Sequence, residues 1–283
     1  MKYANGNIYT GGFKNHKKHG NGVMTYTNGD IFTGSYSNDK KNGNGNYAYA
    51  SGDDYSGGFL DDKKHGKGVY TYSNGANYSG DFAYGLFNGV GVYTYSNGDF
   101  YTGGFVNSKY HGQGTKTNVD GEIFTGDYIN DKKHGRGTYT NSVGDVYNGD
   151  FINDQIQGEG RMEYANGVIY TGSFMYGKKH GYGTYELASG AIYTGDFIND
   201  QYHGSGTMTY TNGVKYTGDF VKSLFHGRGR IEYPSGTKYT GCFVDGKKHG
   251  KGTYSIHDGV TYSGDFVNDQ FHGYGTIENV DGR

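Results

Sequence analysis

Histidine recurs along this chain at a spacing that first suggests a metal site. Nine histidines are separated by 23 residues or by twice that number: His19, His65, His111, His134, His180, His203, His226, His249 and His272. Imidazole is a common ligand of zinc, but two ligands of one zinc ion lie only ~3–4 Å apart. If each repeat supplies two strands, equivalent positions in successive repeats lie about 9.5 Å apart. We therefore predict no metal and no other cofactor, and we expect these side chains to form hydrogen bonds that close turns.

Lysine pairs recur at the same interval and are suited to attract anionic phospholipid. Six pairs occur, and the first three fall in consecutive repeats: Lys17 and Lys18, Lys40 and Lys41, Lys63 and Lys64. We expect these pairs in polar turns, where they would form a basic ridge along one sheet edge and attract lipid headgroups by ~1 kcal/mol per lysine. Neighbouring Asp39, Asp61 and Asp62 and a net charge of −2 weaken this field, so an ordinary solvated turn is the alternative. The same weak field argues against nucleic-acid binding.

The remaining reactive residue types do not assemble into a catalytic pattern. Every Asp and Glu occupies a repeated position, and the one cysteine, Cys242, has only the repeated histidines as partners for a catalytic dyad. The recurring Gly-x-Gly lies inside a strand-like segment with no helix after it, whereas loops that bind phosphate need the N-terminus of a helix. We therefore expect neither an enzyme nor a nucleotide-binding protein.

The elements that must position these residues are twelve copies of one repeat. An aromatic-x-Gly-x-aromatic pattern begins at Tyr9 and returns every 23 residues without insertion. The chain therefore consists of a lead-in, 1–7, and twelve repeats in 8–283 that form a single array. We number positions within a repeat from this first aromatic residue, which is position 0. Positions 2, 11, 13 and 20 are then glycine in all twelve repeats.

Each repeat is predicted to be one β-hairpin. In the first repeat, 8–13 and 21–26 alternate and are rich in aromatic and β-branched residues, which is typical of strands. The polar segment 14–19 would form one turn, and Asn28 and Gly29 a tight second turn in which Gly adopts a positive φ. A two-stranded hairpin is marginally stable alone, so successive repeats must pair with each other. The predicted fold is all-β: an elongated, twisted, single-layer antiparallel meander of twelve 23-residue hairpins.

One face of this sheet is predicted to be aromatic and rich in glycine. Side chains alternate across a strand, so positions 0, 2 and 4 share a face with positions 13, 15 and 17 of the return strand. We expect each ring to lie flat over a glycine of the neighbouring strand. We also expect this face to bind a protein partner, because no other layer of the chain covers it. Ring-over-glycine packing alone is the alternative. The predicted groove residues are Tyr49, Tyr55, Phe59, Tyr72, Tyr78, Phe82, Tyr95, Tyr101 and Phe105.

The last repeats are predicted to pair with a second copy of the chain. An open meander leaves unpaired backbone groups on its terminal strands, which promotes association unless they are covered. Several late repeats carry an aromatic residue at position 9, where other repeats have lysine. The predicted homodimer contact comprises Tyr202, Phe225, Phe271 and Ile277. Packing of these rings against their own hairpins is the alternative.

Composition indicates a folded protein of a reducing compartment. Glycine accounts for 55 of 283 residues but does not occupy every third position, and there is a single proline, which excludes collagen. An aromatic content of 17% and a net charge of −2 argue against disorder. One cysteine excludes a disulfide framework. No segment approaches the ~20 apolar residues of a membrane span, so we expect a cytoplasmic protein.

The repeat resembles the MORN (membrane occupation and recognition nexus) repeat. The pattern is seen in 193–197, Tyr-Thr-Gly-Asp-Phe, in 203–206, His-Gly-Ser-Gly, and in 210–213, Tyr-Thr-Asn-Gly. Asn42 and Gln157 are among the residues that depart from the histidine of this pattern. Such departures weaken individual contacts, but the resemblance still covers all twelve repeats.

The resemblance implies a scaffold or adaptor at cytoskeletal or membrane-apposed structures, with protein partners and, as proposed for the family, phospholipid. Dimers of related proteins imply a homodimer here as well. We therefore expect a non-enzymatic scaffold that binds partners through the aromatic groove and the sheet edges. The alternative is a peripheral membrane protein that binds anionic phospholipids through its basic hairpin turns.

Overall fold

The computed structural model describes residues 1–279, and the regular elements of that part of the chain are all β-strands. The chain divides into two halves, Met1–Ser142 and Val143–Arg283. The first half contains β1 (Ile8–Lys14), β2 (Lys17–Thr25), β3 (Ile31–Ser37), β4 (Lys40–Ala48), β5 (Asp54–Leu60), β6 (Lys63–Thr71), β7 (Asn77–Ala83), β8 (Leu86–Thr94), β9 (Phe100–Val106), β10 (Lys109–Thr117), β11 (Ile123–Ile129) and β12 (Lys132–Thr140). The second half contains β13 (Val146–Ile152), β14 (Gln155–Glu163), β15 (Ile169–Met175), β16 (Lys178–Glu186), β17 (Ile192–Ile198), β18 (Gln201–Thr209), β19 (Lys215–Val221), β20 (Leu224–Glu232), β21 (Lys238–Val244), β22 (Lys247–Ser255), β23 (Thr261–Val267) and β24 (Gln270–Glu278). Within residues 1–279, no helix is long and apolar enough to cross a membrane.

Strands pair in the order in which they follow one another along the chain. In the first half, β1 pairs antiparallel with β2, β2 with β3, and so on to β12. In the second half, β13 to β24 pair in the same way. In the described residues, no pairing joins the first strand of either half to its last, so each half is an open sheet. The predicted fold class, an all-β antiparallel meander of hairpins, is thereby confirmed.

Each hairpin closes with a two-residue turn, which is shorter than the sequence pattern suggests. β3 ends at Ser37 and β4 begins at Lys40, and the residues between them, Asn38 and Asp39, have φ values of 49° and 71°. Positive φ at both central residues is the mark of a type I′ turn, whose twist matches that of the flanking strands. The prediction of a longer polar turn is therefore wrong, because Lys40 and Lys41 already belong to β4.

The connection between hairpins is the tight glycine turn that the sequence predicts. The carbonyl of Tyr26 accepts a hydrogen bond from the backbone N–H of Gly29 at 3.0 Å, and Gly29 has a φ of 94°. A type I turn followed by a left-handed residue is a common three-residue connection between antiparallel strands. Glycine reaches this conformation without the strain that a side chain would add.

A β-bulge interrupts the pairing within each hairpin and decides which side chains share a face. In the hairpin of β5 and β6, Gly57 lies opposite Gly68, but Phe59, two residues later, lies opposite Lys64, four residues earlier. The longer stretch includes Gly66, which has a φ of 71°. Residues directly opposite each other point to the same face. The bulge therefore brings the second residue of a lysine pair to the aromatic face.

A row of paired glycines crosses the sheet beneath the rings. Gly68 lies opposite Gly80, Gly80 opposite Gly91, and Gly91 opposite Gly103. The same pairing of positions 2 and 13 continues through the hairpins of both halves. The row leaves a continuous strip of backbone with no side chain, on which flat rings can lie.

Tyr78 illustrates how the rings fill this strip and form the core. It is fully buried, and a Cβ on Gly91 would lie 2.5 to 2.7 Å from its Oη, Cε2 and Cζ atoms. Its hydroxyl donates a hydrogen bond to the carbonyl of Asp81 at 2.8 Å. Its ring meets those of Phe82 and Phe105 edge to face, with centroids 5.1 and 5.0 Å apart. The prediction that rings lie over glycines of the neighbouring strand is confirmed.

Candidate partner-binding pocket on the aromatic face

The aromatic face has a buried floor, formed by positions 0 and 4, and an upper layer, formed by positions 9, 15 and 17. Tyr49, Tyr72 and Tyr95 are half-buried in the upper layer. Six other predicted groove residues belong to the floor, and at most 6% of any of them is exposed: Tyr55, Phe59, Tyr78, Phe82, Tyr101 and Phe105. Their assignment to a contact surface is corrected by this burial, because they form the core beneath that surface, although Phe105 also lines the pocket described next.

A pocket of about 600 Å³ opens in the upper layer of the first half, and we call it the Lys64 pocket. Three of the predicted groove residues, Tyr72, Tyr95 and Phe105, line it. Lys64, which also lines it, belongs to one of the predicted lysine pairs. The sequence pattern does not single out the other lining residues, which are Tyr70, Gly85, Phe87, Tyr93, Ser108, Tyr110, Lys116 and Asp131. The volume lies within the range of pockets that bind small ligands or side chains.

The sequence pattern does not predict the face on which position 9 lies, because it predicts too long a turn before this position. Phe87 lies directly opposite Phe82, so the two rings share a face. A two-residue turn implies this pairing, and dipeptides of Asn, Asp and Gly are the signal of such a turn. Asn130 and Asp131 form one of these dipeptides, with φ values of 50° and 71°.

Ring stacking holds the walls of the Lys64 pocket in place. Phe87 stacks on Tyr78 with centroids 3.8 Å apart, and Tyr110 stacks on Tyr101 with centroids 3.7 Å apart. The hydroxyls of Tyr95 and Tyr110 share a hydrogen bond of 2.5 Å. Burial is the largest cause of a raised pKa of Tyr110, and this hydrogen bond is the second. Its hydroxyl therefore remains protonated near neutral pH.

The lysine pairs divide between the two faces of the sheet. The first member of each pair is exposed, and the second is half-buried on the aromatic face: Lys17 and Lys18, Lys40 and Lys41, Lys63 and Lys64. We call the lysines at position 9 inner lysines. The Nζ atom of Lys41 lies 4.7 Å from the ring centroid of Tyr47. Lys40 forms an ion pair with Asp61 at 3.3 Å. The predicted ridge of six lysines is therefore wrong, because the inner lysines lie over aromatic rings.

Lys64 is enclosed by three rings at one end of the pocket. Its Nζ lies 4.0 Å from the ring centroid of Tyr70 and 5.5 and 5.4 Å from those of Tyr49 and Tyr55. Burial lowers the pKa of Lys64 to about 8, against the attraction of Asp53. The Asp53 carboxylate is engaged elsewhere, since it accepts hydrogen bonds of 2.9 Å from the Tyr70 hydroxyl and from a backbone N–H. Lys64 is thus an amine whose charged form has lost hydration without gaining a direct counter-charge.

The histidine row does not form the predicted hydrogen bonds through Nδ1. Within residues 1–279, the Nδ1 atoms of His65, His111 and His180 are buried without a hydrogen-bond partner. The same part of the chain contains no group of three or more His, Cys, Asp or Glu side chains arranged to hold a metal ion. The prediction of turn-closing hydrogen bonds is therefore wrong for these three atoms.

The aromatic residues predicted to form a dimer contact lie on the aromatic face of the second half. Tyr202 and Phe225 each stack on the position-0 tyrosine of their own hairpin, with centroids 3.9 and 3.8 Å apart. Phe271 and Ile277 are 55% and 66% exposed. Phe271 also stacks on the position-0 tyrosine of its hairpin, with centroids 4.0 Å apart, so local packing accounts for all three rings, while self-association of the chain stays a prediction.

A family model for the MORN repeat matches twelve consecutive segments of the chain. The segments are 9–31, 32–54, 55–76, 78–100, 101–123, 124–146, 147–169, 170–192, 193–215, 216–238, 239–261 and 262–282. Each begins at the position-0 residue of a repeat, so the family model and the spacing of the aromatic residues divide the chain in the same way.

Two solved structures illustrate the similarity to known proteins. The TCP domain of SAS-4 (dCPAP) of Drosophila melanogaster, in complex with a proline-rich motif of Ana2 (dSTIL), is 16% identical to this chain. The match covers 60% of this chain and 86% of that chain, with a TM-score of 0.35. The wild-type TCP10 domain of Danio rerio CPAP, in complex with a peptide of Danio rerio STIL, is 13% identical over 97% of this chain and 99% of that chain, with a TM-score of 0.29. No curated protein sequence matches this chain significantly.

Proposed function

This chain belongs to the MORN repeat family, and we propose that it is a non-enzymatic scaffold that binds protein partners on its aromatic face. The proposed setting is the one that the family implies, a cytoskeletal or membrane-apposed structure in the cytoplasm. The Lys64 pocket is the observation that carries the proposal. Its volume is about 600 Å³, and half-buried rings and the amines of Lys64 and Lys116 line it.

The upper layer of the aromatic face is suited to a partner because the fold does not bury it. Tyr78 in the floor is fully buried by its own sheet, whereas Tyr72 and Tyr95 in the upper layer remain half-buried. Tyrosine offers a large apolar surface, loses little conformational entropy on contact and carries a hydroxyl, which is why it is enriched at protein interfaces. A partner that covers these rings would gain apolar contact without disturbing the core.

We assign binding, and no catalysis, to this pocket. Its one carboxylate belongs to Asp131, which accepts a hydrogen bond of 2.8 Å from the backbone N–H of Tyr110. The Tyr110 hydroxyl is held by its bond to the Tyr95 hydroxyl. General acid–base chemistry needs a group that is free to exchange a proton with a substrate. These groups instead hold the pocket wall, which supports a binding role.

Capture of partners from native lysate tests the scaffold function. The full chain carrying Tyr72→Ser and Tyr95→Ser should lose the proteins that the wild type retains, as measured by quantitative mass spectrometry. The matched control is Val69→Ser with Val92→Ser, which changes two side chains of β6 and β8, the strands that end directly before Tyr72 and Tyr95. Val69 and Val92 lie on the opposite face, where they are 42% and 39% exposed. Equal retention by both double variants would refute binding on the aromatic face.

Binding of anionic phospholipid is the alternative function, and the same proteins test it. Lys17, Lys40 and Lys63 remain exposed in consecutive hairpins. Charge attraction by so few lysines is weak and is screened by salt. If the chain co-sediments with anionic but not with neutral vesicles, and if changing these three lysines to Gln abolishes this binding, the alternative is favoured. Equal sedimentation with and without the substitutions would exclude the lysine row as a lipid site.

A further inference from the structure

The tips of successive hairpins are joined by two hydrogen bonds in which an aspartate takes part. The backbone N–H of Lys41 donates to Oδ1 of Asp62 at 2.9 Å, and the N–H of Asp62 donates to the carbonyl of Lys41 at 3.0 Å. Asp62 stands at position 7 of the hairpin that follows Lys41. Inner lysines of other hairpins face such an aspartate in the next hairpin, and the examples are Lys18 and Asp39, Lys41 and Asp62, Lys179 and Asp200, and Lys248 and Asp269.

At Lys179 and Lys41 the facing aspartate also supplies a counter-charge. At Lys179, Nζ lies 3.3 Å from Oδ1 of Asp200. At Lys41, burial lowers the lysine pKa, and the attraction of Asp62 opposes this change. An ammonium group that lies over aromatic rings has lost part of its hydration, so a nearby carboxylate stabilises its charged form. The aspartate at position 7 thus binds the backbone N–H at all four of these lysines, and its charge also stabilises the amine at Lys179 and Lys41.

Lys64 differs from these four lysines because its facing turn holds Gly85 at position 7. The N–H of Gly85 still donates to the carbonyl of Lys64 at 2.8 Å, but glycine offers no carboxylate. In the part of the chain that the structure describes, no carboxylate lies within ion-pair distance of the Lys64 amine. The same amine lines the pocket. The missing position-7 carboxylate and the cavity thus occur at the same place.

The opposite part of the pocket suits an apolar side chain with polar surroundings. Phe87, Tyr93 and Tyr95 supply rings to its lining. Lys116 stands at position 15, and its Nζ lies 5.4 Å from the ring centroid of Tyr95. An occupant that combines a negative group with a neighbouring apolar group would therefore match both parts of the pocket.

We propose that the Lys64 pocket binds an acidic side chain from an extended segment of a protein partner. Lys64 receives the carboxylate, and the rings of Phe87, Tyr93 and Tyr95 receive an adjacent aromatic or aliphatic side chain. The carboxylate takes the place that an aspartate of the next hairpin occupies at the other inner lysines described above. This inference rests on the proposed scaffold function and names the chemistry of the partner.

A carboxylate matches this site better than a phosphate group. Lys64 carries a single charge, and Asp131 in the lining would repel a dianion. Phosphate sites more often combine several donors, such as Arg side chains or the N–H groups of a helix N-terminus. A lipid headgroup fits less well still, because Lys64 lies half-buried among rings while its exposed neighbour Lys63 points to the other face.

Gly85→Asp tests the inference, because it supplies the missing carboxylate from the chain itself. A Cβ on Gly85 meets no atom within 4 Å. Asp39 and Asp62 hold the same turn position with φ values of 71° and 70°, compared with 94° for Gly85. The matched control is Gly75→Asp, since Gly75 has a φ of 91°, equal open space and a place in the turn that follows β6, away from the hairpin tip.

The probes are short fluorescent peptides with Glu-Phe, Gln-Phe or phosphoserine-Phe at the centre, titrated with the full chain by fluorescence anisotropy. The Glu-Phe peptide should bind the wild type about ten-fold more tightly than the Gln-Phe peptide, as expected for one hydrogen bond to a charged group. Gly85→Asp and Lys64→Met should each remove that difference, whereas Gly75→Asp should keep it.

Equal affinity of the wild type for the Glu-Phe and Gln-Phe peptides, absence of binding included, overturns the inference. Tighter binding of the phosphoserine peptide, or vesicle binding that Gly85→Asp abolishes, assigns the pocket to a phosphate group and also overturns it. Lysate capture separates the inference from the scaffold function. If the variant with Tyr72→Ser and Tyr95→Ser loses partners while the Gly85→Asp variant retains them, the scaffold function is supported and the proposed role of Lys64 is refuted.

Discussion

Gly91→Ala is expected to destabilise the sheet around β8 by about 2 kcal/mol, because Tyr78 occupies the space that a methyl group would need. At Gly91 the steric contact with the Tyr78 ring can be measured without a contribution from backbone strain. Gly91 lies in a regular part of the strand and does not have one of the positive φ values found at the turn glycines. A change of backbone conformation therefore does not contribute to the cost, and only the approach of the ring does.

The magnitude follows from the distances beneath the ring. The new Cβ would lie 2.5, 2.6 and 2.7 Å from Oη, Cε2 and Cζ of Tyr78, whereas ordinary contact begins at 3.4 Å. The ring must therefore retreat by about 0.7 to 0.9 Å, and overpacking of this kind costs ~1–3 kcal/mol. Retreat also lengthens the hydrogen bond from the hydroxyl to Asp81 and presses the ring on Phe87, which stacks on it at 3.8 Å. Against this, replacing Gly by Ala within a strand normally gains ~0.5–1 kcal/mol.

Native-state hydrogen exchange of the full chain measures the effect where it arises. A loss of about 2 kcal/mol corresponds to roughly thirty-fold faster exchange of the amides in β7, β8 and β9. Gly75→Ala is a control for backbone strain alone, since a Cβ there meets no atom within 4 Å and φ is 91°. In a Tyr78→Leu background the cost of Gly91→Ala should fall by ~1–2 kcal/mol, because the atoms that the methyl group meets are gone. If Gly91→Ala leaves exchange unchanged or slows it, the ring does not require the glycine and the reasoning fails.

Two further predictions concern both halves of the chain. Burial raises the pKa of Tyr55, Tyr101 and Tyr147 to about 12, above the value of ~10 for an unfolded tyrosine. The unfolded chain therefore loses these protons first, so stability should be complete below pH ~10 and fall as the pH rises toward 12. Far-UV circular dichroism should decline together with tyrosine ionisation, and ionisation near pH 10 with an unchanged spectrum would contradict this. For self-association, Phe271→Ser with Ile277→Lys should convert a dimer into a monomer in light scattering. Phe13→Ser with Val23→Lys, which changes side chains that are 48% and 36% exposed at the other end of the array, should not. A variant that remains dimeric after the first pair of changes would place the interface elsewhere.

The core could be predicted from the sequence because it depends on aromatic residues and glycines that recur at fixed positions of each repeat. A position-0 aromatic residue and glycines at positions 2 and 13 predict a ring over a bare backbone, and Tyr78 over Gly91 has that geometry. The pattern also predicts the glycine turn, since Gly29 must adopt a positive φ to close it. Both inferences concern contacts between residues that the hairpin pairing places side by side, so they need no knowledge of distant parts of the chain.

The sheet face on which the paired lysines and the position-9 residues lie could not be predicted from the sequence, and the reason is physical. A one-residue error in strand register moves every side chain to the opposite face. The pattern of polar residues gives a six-residue turn, 14–19, whereas the turn consists of two residues, and a bulge then displaces the pairing. Lys64 therefore lies opposite Phe59 on the aromatic face, and not in an edge ridge. Dipeptides such as Asn38-Asp39, in which both residues have a positive φ, would predict the correct register if each dipeptide were interpreted as a complete turn.

A repeat array offers the same surface at every step unless some repeats differ, so departures from the pattern decide where a partner binds. Floor and glycine row barely change through β1 to β12, and they provide no preference for one hairpin over another. The pocket forms where position 9 changes from Lys64 to Phe87 and then Tyr110, and where position 15 changes from Tyr93 to Lys116. The turn residue that faces Lys64 changes at the same point from aspartate to Gly85. These changes at positions 9, 15 and 7 occur in one place and convert a uniform sheet into a local site. The proposed partner, an acidic side chain beside an apolar one, matches all three changes.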